Sequence, residues 1–188
     1  MTTENALYIP VLLGTPRQCR ASEAVAHFVF GEVRRREGVE TELIDVRELN
    51  FTTRDAGEDI KDPTFSAQMS RADALVIVTP EYNHGYPGLL KHALDTNLKE
   101  YVHKAVGICG VSAGLFGGAR VIQNLLPVMR ELGLVTIFWD GNFPDAPNLF
   151  NADGTIKDPA FVGRMDRFLG ELMWMAKTLR YGRANIAL

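Results

Sequence analysis

Short apolar stretches alternate along the chain with longer segments whose apolar residues recur every three or four positions. The short stretches predict strands buried on both faces, and the longer segments predict amphipathic helices. Each predicted strand is followed by a predicted helix. The predicted strands cover residues 7–13, 39–46, 74–78, 104–111 and 134–139.

This alternation predicts an α/β fold with helices on both faces of a parallel sheet, because parallel strands need crossover connections. Five strands fit a doubly wound, flavodoxin-like sheet of order 2-1-3-4-5 better than the six-stranded dinucleotide-binding order. Pro10 counts against full pairing of the first strand, so either pairing begins after it or one ladder hydrogen bond is missing. The length of 188 residues predicts one domain over 1–188.

Several helix ends are also indicated. Ser22 suits the N-cap of a first helix over 22–37, and Pro87 suits the first turn of the third helix. A last helix with a wide apolar face is predicted over 161–179. Residues 50–63 show no periodicity and are interpreted as an irregular surface segment, and residues 140–159 are interpreted as a loop.

Composition narrows the classes of partner. The net charge of −3 gives no reason to expect nucleic acid or an anionic membrane as the main partner. No signal peptide is predicted, and no apolar run approaches the roughly 20 residues of a membrane span. Two isolated cysteines form no disulfide framework, which favours a reducing, cytoplasmic location.

Three of the loops that follow strands carry residues suited to ligand binding. They follow the first, third and fourth strands, which are neighbours in the order 2-1-3-4-5, so we expect the loops to converge on one crevice. The first loop, residues 14–22, leads its backbone amides into a helix N-terminus, which favours an anion. Thr15 and Ser22 can donate hydroxyl hydrogen bonds, and Arg17 or Arg20 can bind phosphate oxygens.

Taken alone, the first loop is equally well explained as a capped helix with two solvated arginines, and the second loop tips the balance towards phosphate. In that loop, residues 80–87, the backbone N–H groups of residues 82–85 can reach the edge of a flat heterocycle, and Tyr82 or Tyr86 offers a stacking face. Glycines in the third loop, residues 112–118, permit close approach to a planar ligand. The absence of a Walker lysine argues against a nucleotide triphosphatase.

The three loops contain the segments GTPRQCRAS, TPEYNHGYPGLLKHALD and SAGLFGGAR. Together they resemble the NADPH-dependent FMN reductase family, which includes azoreductases, quinone reductases and chromate-reducing flavoproteins. The resemblance covers residues 7–134 and is most specific in the second segment. It implies a flavodoxin-like enzyme that passes hydride from NADPH, or NADH, through bound FMN to a small acceptor such as a quinone, azo compound, flavin or oxidised metal.

The resemblance also implies a set of site residues. The FMN phosphate would be held by Thr15, Arg17 and Ser22, with Arg20 as an additional ligand. One side of the isoalloxazine ring would be lined by Pro80, Glu81, Tyr82, Asn83 and His84. The other side would be closed by Ser112, Ala113 and Gly114. Hydride transfer requires no side-chain acid or base, so no catalytic residue is certain, and Asn83 and His84 are the polar candidates beside the ring.

Other interpretations stay open at this point. One is a flavodoxin-like electron carrier or redox sensor without NADPH turnover, which a charge of only −3 does not favour. Another is a dinucleotide-binding regulator; Asp45 follows the second strand as a ribose-binding acid would, but the GxGxxG fingerprint is missing. No metal site is predicted, because the four histidines are scattered. Family members commonly form homodimers or homotetramers, and the apolar last helix is consistent with an interface or with core.

Overall fold

A parallel sheet forms the centre of the computed structural model, which describes residues 6–52 and 57–187. The helices are α1 (Ala21–Arg34), α2 (Pro63–Arg71), α3 (Gly88–Asp95), α4 (Ala119–Glu131) and α5 (Ala160–Asn185). The strands are β1 (Leu7–Tyr8), β2 (Val11–Leu13), β3 (Val39–Glu40), β4 (Leu43–Asp45), β5 (Ala74–Pro80), β6 (Lys104–Val111), β7 (Leu134–Thr136) and β8 (Gly141–Phe143).

The strand order is β4-β2-β5-β6-β7, with β8 also paired to β6 and β1 paired to β3. All these pairs are parallel. The α/β parallel fold is therefore confirmed. If β1 and β2 are counted as one strand, and β3 and β4 as another, the order of strands in the sheet is the predicted one. The number of strands differs from the predicted five because both of these are interrupted and β8 is added.

Pro10 causes the interruption between β1 and β2. The Val11 amide still donates to the Glu42 carbonyl at 2.9 Å, and the Pro10 carbonyl accepts from the Val76 amide at 3.0 Å. Pairing thus continues on both sides of Pro10, and only the hydrogen bond that its missing N–H would donate is absent. Of the two alternatives for this strand, the structure shows the second.

The two faces of the sheet are covered by different helices. Val76 and Val78 of β5 pack in a core cluster with residues of α1 and α5, whereas Leu75 and Ile77 pack with residues of α2, α3 and α4. Alternate side chains of a strand point to opposite faces, so helices lie on both sides, as predicted.

Some element boundaries differ from the predictions. The N-cap of α1 is Arg20, and Ser22 lies buried in the first turn. Pro87 is the cap residue of α3. Residues 140–159 contain β8, whose three residues are too few to show a periodicity, and α5 is longer than 161–179. Of the predicted surface segment 50–63, residues 53–56 lie outside the described residues.

A buried polar cluster joins several elements at the amino end of the sheet, opposite the loops of interest. The Asp73 carboxylate accepts hydrogen bonds from the Tyr8 amide at 3.1 Å and from Arg180 and Arg183 at 3.2 and 3.1 Å. The Lys104 ammonium donates to two carbonyls in the last turn of α2, and burial lowers the pKa of Lys104 to about 8. Among the described residues, no helix is both long and apolar enough to span a bilayer.

Candidate functional site

The three predicted loops meet in a cleft of about 300 Å³ at the carboxyl end of the sheet. Seven predicted site residues line it: Arg20, Ser22, Pro80, Glu81, Tyr82, Ser112 and Ala113. The turn at Ala146 and Pro147, which the sequence did not indicate, completes the wall. Thr15 and Arg17 join the cleft through Tyr82, whereas Asn83, His84 and Gly114 lie outside its lining.

The β2–α1 loop has buried ends and an exposed tip. Thr15 and Arg20 are buried, while residues 16–19 are exposed. The Arg20 guanidinium donates to the Thr15 carbonyl and forms a two-pronged ion pair with Asp45 of β4. The predicted role of Arg20 as a phosphate ligand is not supported by these contacts, because both of its terminal nitrogens are occupied by protein oxygens.

Asp45 was considered from the sequence only as a ribose-binding acid, whereas the structure shows it as the partner of Arg20. Its carboxylate also accepts from the Arg47 amide and side chain at 3.0 Å. Burial alone would raise the pKa of Asp45, but the hydrogen bonds from Arg20 and Arg47 outweigh it and the pKa is lowered. The available signal was its position at the carboxyl end of the strand next to the first loop.

Ser22 and Arg20 carry buried polar atoms that make no hydrogen bond within the protein. The Ser22 hydroxyl is buried and makes no hydrogen bond, and neither does Nε of Arg20, which lies 3.5 Å from Glu23 Oε2. Buried polar groups in proteins are nearly always paired, so the Ser22 hydroxyl indicates a ligand, whereas Nε of Arg20 faces the Glu23 carboxylate as an ion pair. Both residues line the cleft beside the N-terminus of α1, which favours negative charge. An anionic group such as phosphate fits here.

Tyr82 connects the first two loops. Its hydroxyl lies 3.2 Å from the Thr15 hydroxyl, and the Arg17 guanidinium stacks on its ring at 3.8 Å from the ring centre. Either hydroxyl can be the donor of this pair, so the Thr15 hydroxyl can still donate to an anion when Tyr82 donates to it. Arg17 has no carboxylate partner among the described residues and remains available for an anion. Tyr86 is half-buried and packs against the core cluster that contains residues of α3 and α4.

Residues 82–85 form a tight turn. The amides of Tyr82 and Gly85 each donate to the other residue's carbonyl at 2.9 Å, and Asn83 and His84 have φ values of +49° and +67°. Positive φ at both central residues is the signature of a type I′ turn. The prediction that all four amides could face a heterocycle is therefore wrong, because two are used within the turn. The amides of Asn83 and His84 make no hydrogen bond within the described part of the chain.

Helix α4 holds this turn in place. The Glu81 carboxylate accepts from the Arg120 amide at 3.2 Å and lies 3.4 Å from the Arg120 guanidinium. The Asn124 side chain donates to the His84 carbonyl. Glu81 thus acts as an anchor of the loop to the positive end of α4. Arg120 is the last residue of the segment SAGLFGGAR, and no role was predicted for it from the sequence.

The β6–α4 loop closes the other side of the cleft. The Ser112 hydroxyl donates to the Gly114 carbonyl at 2.8 Å, so it is occupied within its own loop. Leu115 and Phe116 project into solvent next to it. Gly118, at φ +75°, lies against the backbone of Gly110 in β6. In the described residues, no cluster of His, Cys, Asp and Glu side chains could hold a metal ion.

A second, larger cavity of about 440 Å³ lies between α5 and the β7–β8 connection. It contains none of the predicted site residues. Its walls include Phe138, Trp139, Arg164 and Arg167.

Comparison with known proteins gives the cleft a context. The family model described as NADPH-dependent FMN reductase matches residues 7–140 of the chain. A 2-hydroxy-1,4-benzoquinone reductase from a Burkholderia species is 31% identical over 69% of this chain and 74% of its own length. An NADPH azoreductase from a Bacillus species is 28% identical over 61% of this chain and 64% of its own length.

Solved structures show the same fold. FerB, a flavoenzyme NAD(P)H:(acceptor) oxidoreductase from Paracoccus denitrificans, superposes with a TM-score of 0.74 at 22% identity. The alignment covers 90% of this chain and 99% of FerB. Flavodoxin 1 from Bacillus cereus superposes with a TM-score of 0.59 at 12% identity, covering 90% of this chain and 98% of the flavodoxin. These likenesses confirm the flavodoxin-like fold.

Proposed function

The chain belongs to the NADPH-dependent FMN reductase family, and we propose that it reduces a small acceptor with NAD(P)H through FMN bound in the cleft of the three loops. Membership makes it an oxidoreductase that uses FMN and NAD(P)H. Its relatives include enzymes named for quinones and for azo compounds. We propose an acceptor of this kind: a quinone, an azo compound, a free flavin or an oxidised metal.

One observation carries the proposal. The unpartnered Ser22 hydroxyl lies in the first turn of α1 and lines the cleft where all three loops meet, and the Arg17 guanidinium stacks on Tyr82, which lines the same cleft. We assign Ser22, Arg17 and the first-turn amides of α1 to the FMN phosphate. The Thr15 hydroxyl can add a further donor, while Arg20 holds the two ends of the loop together through the Thr15 carbonyl.

The other residues of the cleft, together with Asn83, His84 and Gly114 next to it, suit the ring of FMN. The free amides of Asn83 and His84 would donate to its polar edge, with Pro80, Glu81 and Tyr82 beside it and Ser112, Ala113 and Gly114 opposite. When bound, FMN supplies the hydride chemistry between NAD(P)H and the acceptor. The protein's part is to bind, orient and stabilise negative charge, so neither Asn83 nor His84 is assigned a proton-transfer role.

We propose further that the single domain assembles as a homodimer or homotetramer in the cytoplasm. Trp174 and Tyr181 of α5 are about two thirds exposed, and Phe138 is 80% exposed, which leaves apolar area for a partner copy. Met165 and Phe168 of the same helix are buried in the core, so only part of its apolar surface is available to a partner. Light scattering of the purified protein reports the state. Cys19 and Cys109 are both free thiols, which is consistent with a reducing compartment.

The test is an anaerobic titration. The purified protein is loaded with FMN, excess is removed, and NADPH or NADH is added while the visible flavin absorption is followed. We expect rapid bleaching that a quinone or azo dye reverses. Retention of FMN without bleaching by either nucleotide would contradict the reductase and indicate an electron carrier or redox sensor. Failure to take up FMN would refute the assignment of the cleft.

Replacement of Ser22 by alanine gives opposite results in the two states of the protein. An unpaired buried hydroxyl destabilises the apoprotein, so S22A is expected to raise the free energy of unfolding of the apoprotein by about 1 kcal/mol. The same change removes a phosphate donor, so the FMN dissociation constant is expected to rise about tenfold. Urea unfolding without flavin and fluorescence titration with FMN measure the two effects.

The matched control is Ser66→Ala, whose hydroxyl already donates to the Asn97 side chain at 2.6 Å, far from the cleft. S66A is expected to destabilise the apoprotein and leave FMN binding unchanged. If S22A instead lowers the stability of the apoprotein and leaves the FMN affinity intact, Ser22 is an ordinary core residue.

A further inference from the structure

We infer that Arg20 and Asp45 form a buried clip that sets the shape of the phosphate-binding loop, so that Asp45, although negatively charged, strengthens the binding of an anionic ligand. The inference rests on the proposed function, because it concerns the FMN phosphate. Arg20 and Asp45 are positioning residues in this view. Asp45 contributes through Arg20, which lies between it and the loop.

The first support is the closure of the loop. Its two ends, Thr15 and Arg20, are five residues apart and are joined by the hydrogen bond from the Arg20 guanidinium to the Thr15 carbonyl. Both ends are buried while residues 16–19 between them are exposed. Apart from the stacking of Arg17 on Tyr82, this tip has few contacts of its own, so the clip is the main restriction on its conformations.

The second support is the anchoring of the guanidinium from outside the loop. Asp45, at the end of the neighbouring strand β4, accepts from both terminal nitrogens of Arg20, and the Arg20 side chain is 1% exposed. A buried guanidinium that lost this carboxylate would no longer have a defined position. The other charges that face the pair are Glu23, 3.5 Å from Arg20 Nε, and Arg47, which also binds Asp45.

The clip predicts that removal of Asp45 weakens FMN binding, which is the opposite of what the charge of Asp45 alone predicts. If Asp45 acted only through its charge, its removal would make the site more positive and tighten FMN binding. If Asp45 acts by holding Arg20, its removal frees the loop, and the amides that bind phosphate are no longer pre-organised. The direction of the change in FMN affinity therefore distinguishes the two roles.

The experiment measures dissociation constants of FMN and riboflavin, without any nucleotide, for the wild-type protein, D45N and R20K. Riboflavin has the same ring but no phosphate. We expect D45N and R20K to weaken FMN binding about tenfold and riboflavin binding less than about threefold, as loss of pre-organisation at the phosphate alone predicts. The control E23Q removes an equal charge beside Arg20 Nε but leaves the hydrogen bonds from Arg20 to Thr15 and Asp45 in place, and its FMN affinity should be unchanged or tighter.

The possible failures are distinguishable. Wild-type protein that binds neither flavin would overturn the proposed function and the clip with it. Wild-type protein that binds FMN, with D45N binding it equally well or more tightly, would overturn the clip alone. An equal loss of FMN and riboflavin affinity would show a general structural role and also refute it. If D45N does not fold, R20K decides, because lysine keeps the charge but cannot bridge Thr15 and Asp45 with a planar fork.

Discussion

Gly118→Ala is expected to lower the free energy of unfolding by about 3 kcal/mol or more, through a backbone clash combined with an unfavourable φ. A Cβ at this position would lie 2.5 Å from the Gly110 carbonyl carbon and from the Val111 nitrogen. Both are backbone atoms of β6, which is paired on both sides, so they cannot move aside. Moreover, Gly118 has φ +75°, where a side chain is strained even in open space.

The control for this change lies in the same loop. A Cβ at Gly114 meets no atom within 4 Å, and its φ is not in the left-handed region. We therefore expect G114A to change the stability by less than about 0.5 kcal/mol. Urea unfolding of the two apoproteins measures the difference. Equal stability of G118A and G114A would show that the close approach of the loop to β6 does not exist in solution.

Asp73→Ala is expected to lower the stability by about 3 kcal/mol while leaving flavin affinity unchanged. The carboxylate is buried and accepts from the Tyr8 amide, Arg180 and Arg183, which belong to β1 and α5. Its removal takes an acceptor from a buried backbone amide and the counter-charge from two guanidinium groups. The cluster lies at the opposite end of the sheet from the cleft, so the site residues keep their contacts.

Asp166→Ala provides the comparison. Asp166 is an exposed carboxylate that pairs with Arg36 at 2.6 Å, and exposed pairs contribute only about 0–1 kcal/mol. Thermal unfolding followed by circular dichroism, with FMN titration of each variant, separates the two expectations. If D73A is as stable as D166A, Asp73 does not contribute to holding α5 on the sheet.

The fold could be predicted because its signals are periodic and repeated. The strands predicted at 74–78 and 104–111 are apolar runs long enough to identify. Each of them is followed by a helix with a regular apolar face. The elements that were not predicted are those with no periodic pattern of apolar residues. The three residues of β8 pair with β6 because glycine at 141 lets it pass Cys109, where a Cβ would lie 2.5 Å from the sulfur. That is a tertiary contact, which no local pattern reports.

The site was predictable at the level of loops and less so at the level of atoms. Strand order brings the three loops together, and motif resemblance selects residues within them. Which hydroxyl or guanidinium is free depends on side-chain partners from other elements: Asp45 occupies Arg20, and Tyr82 pairs with Thr15. Such pairings join residues 25 and 67 positions apart. A single sequence contains the partners but not the pairings.

The type I′ turn at Asn83 and His84 has a consequence for the kinetics of cofactor uptake. Its two free amides are already fixed by the cross-turn hydrogen bonds and by Asn124 of α4. No ordering of this segment has to accompany binding, so its contribution to the conformational entropy of association is small. Apoprotein mixed with flavin should therefore reconstitute in a single concentration-dependent phase, without a slower first-order rearrangement. The exposed tip at residues 16–19 then becomes the part of the site where any delay in reconstitution would originate.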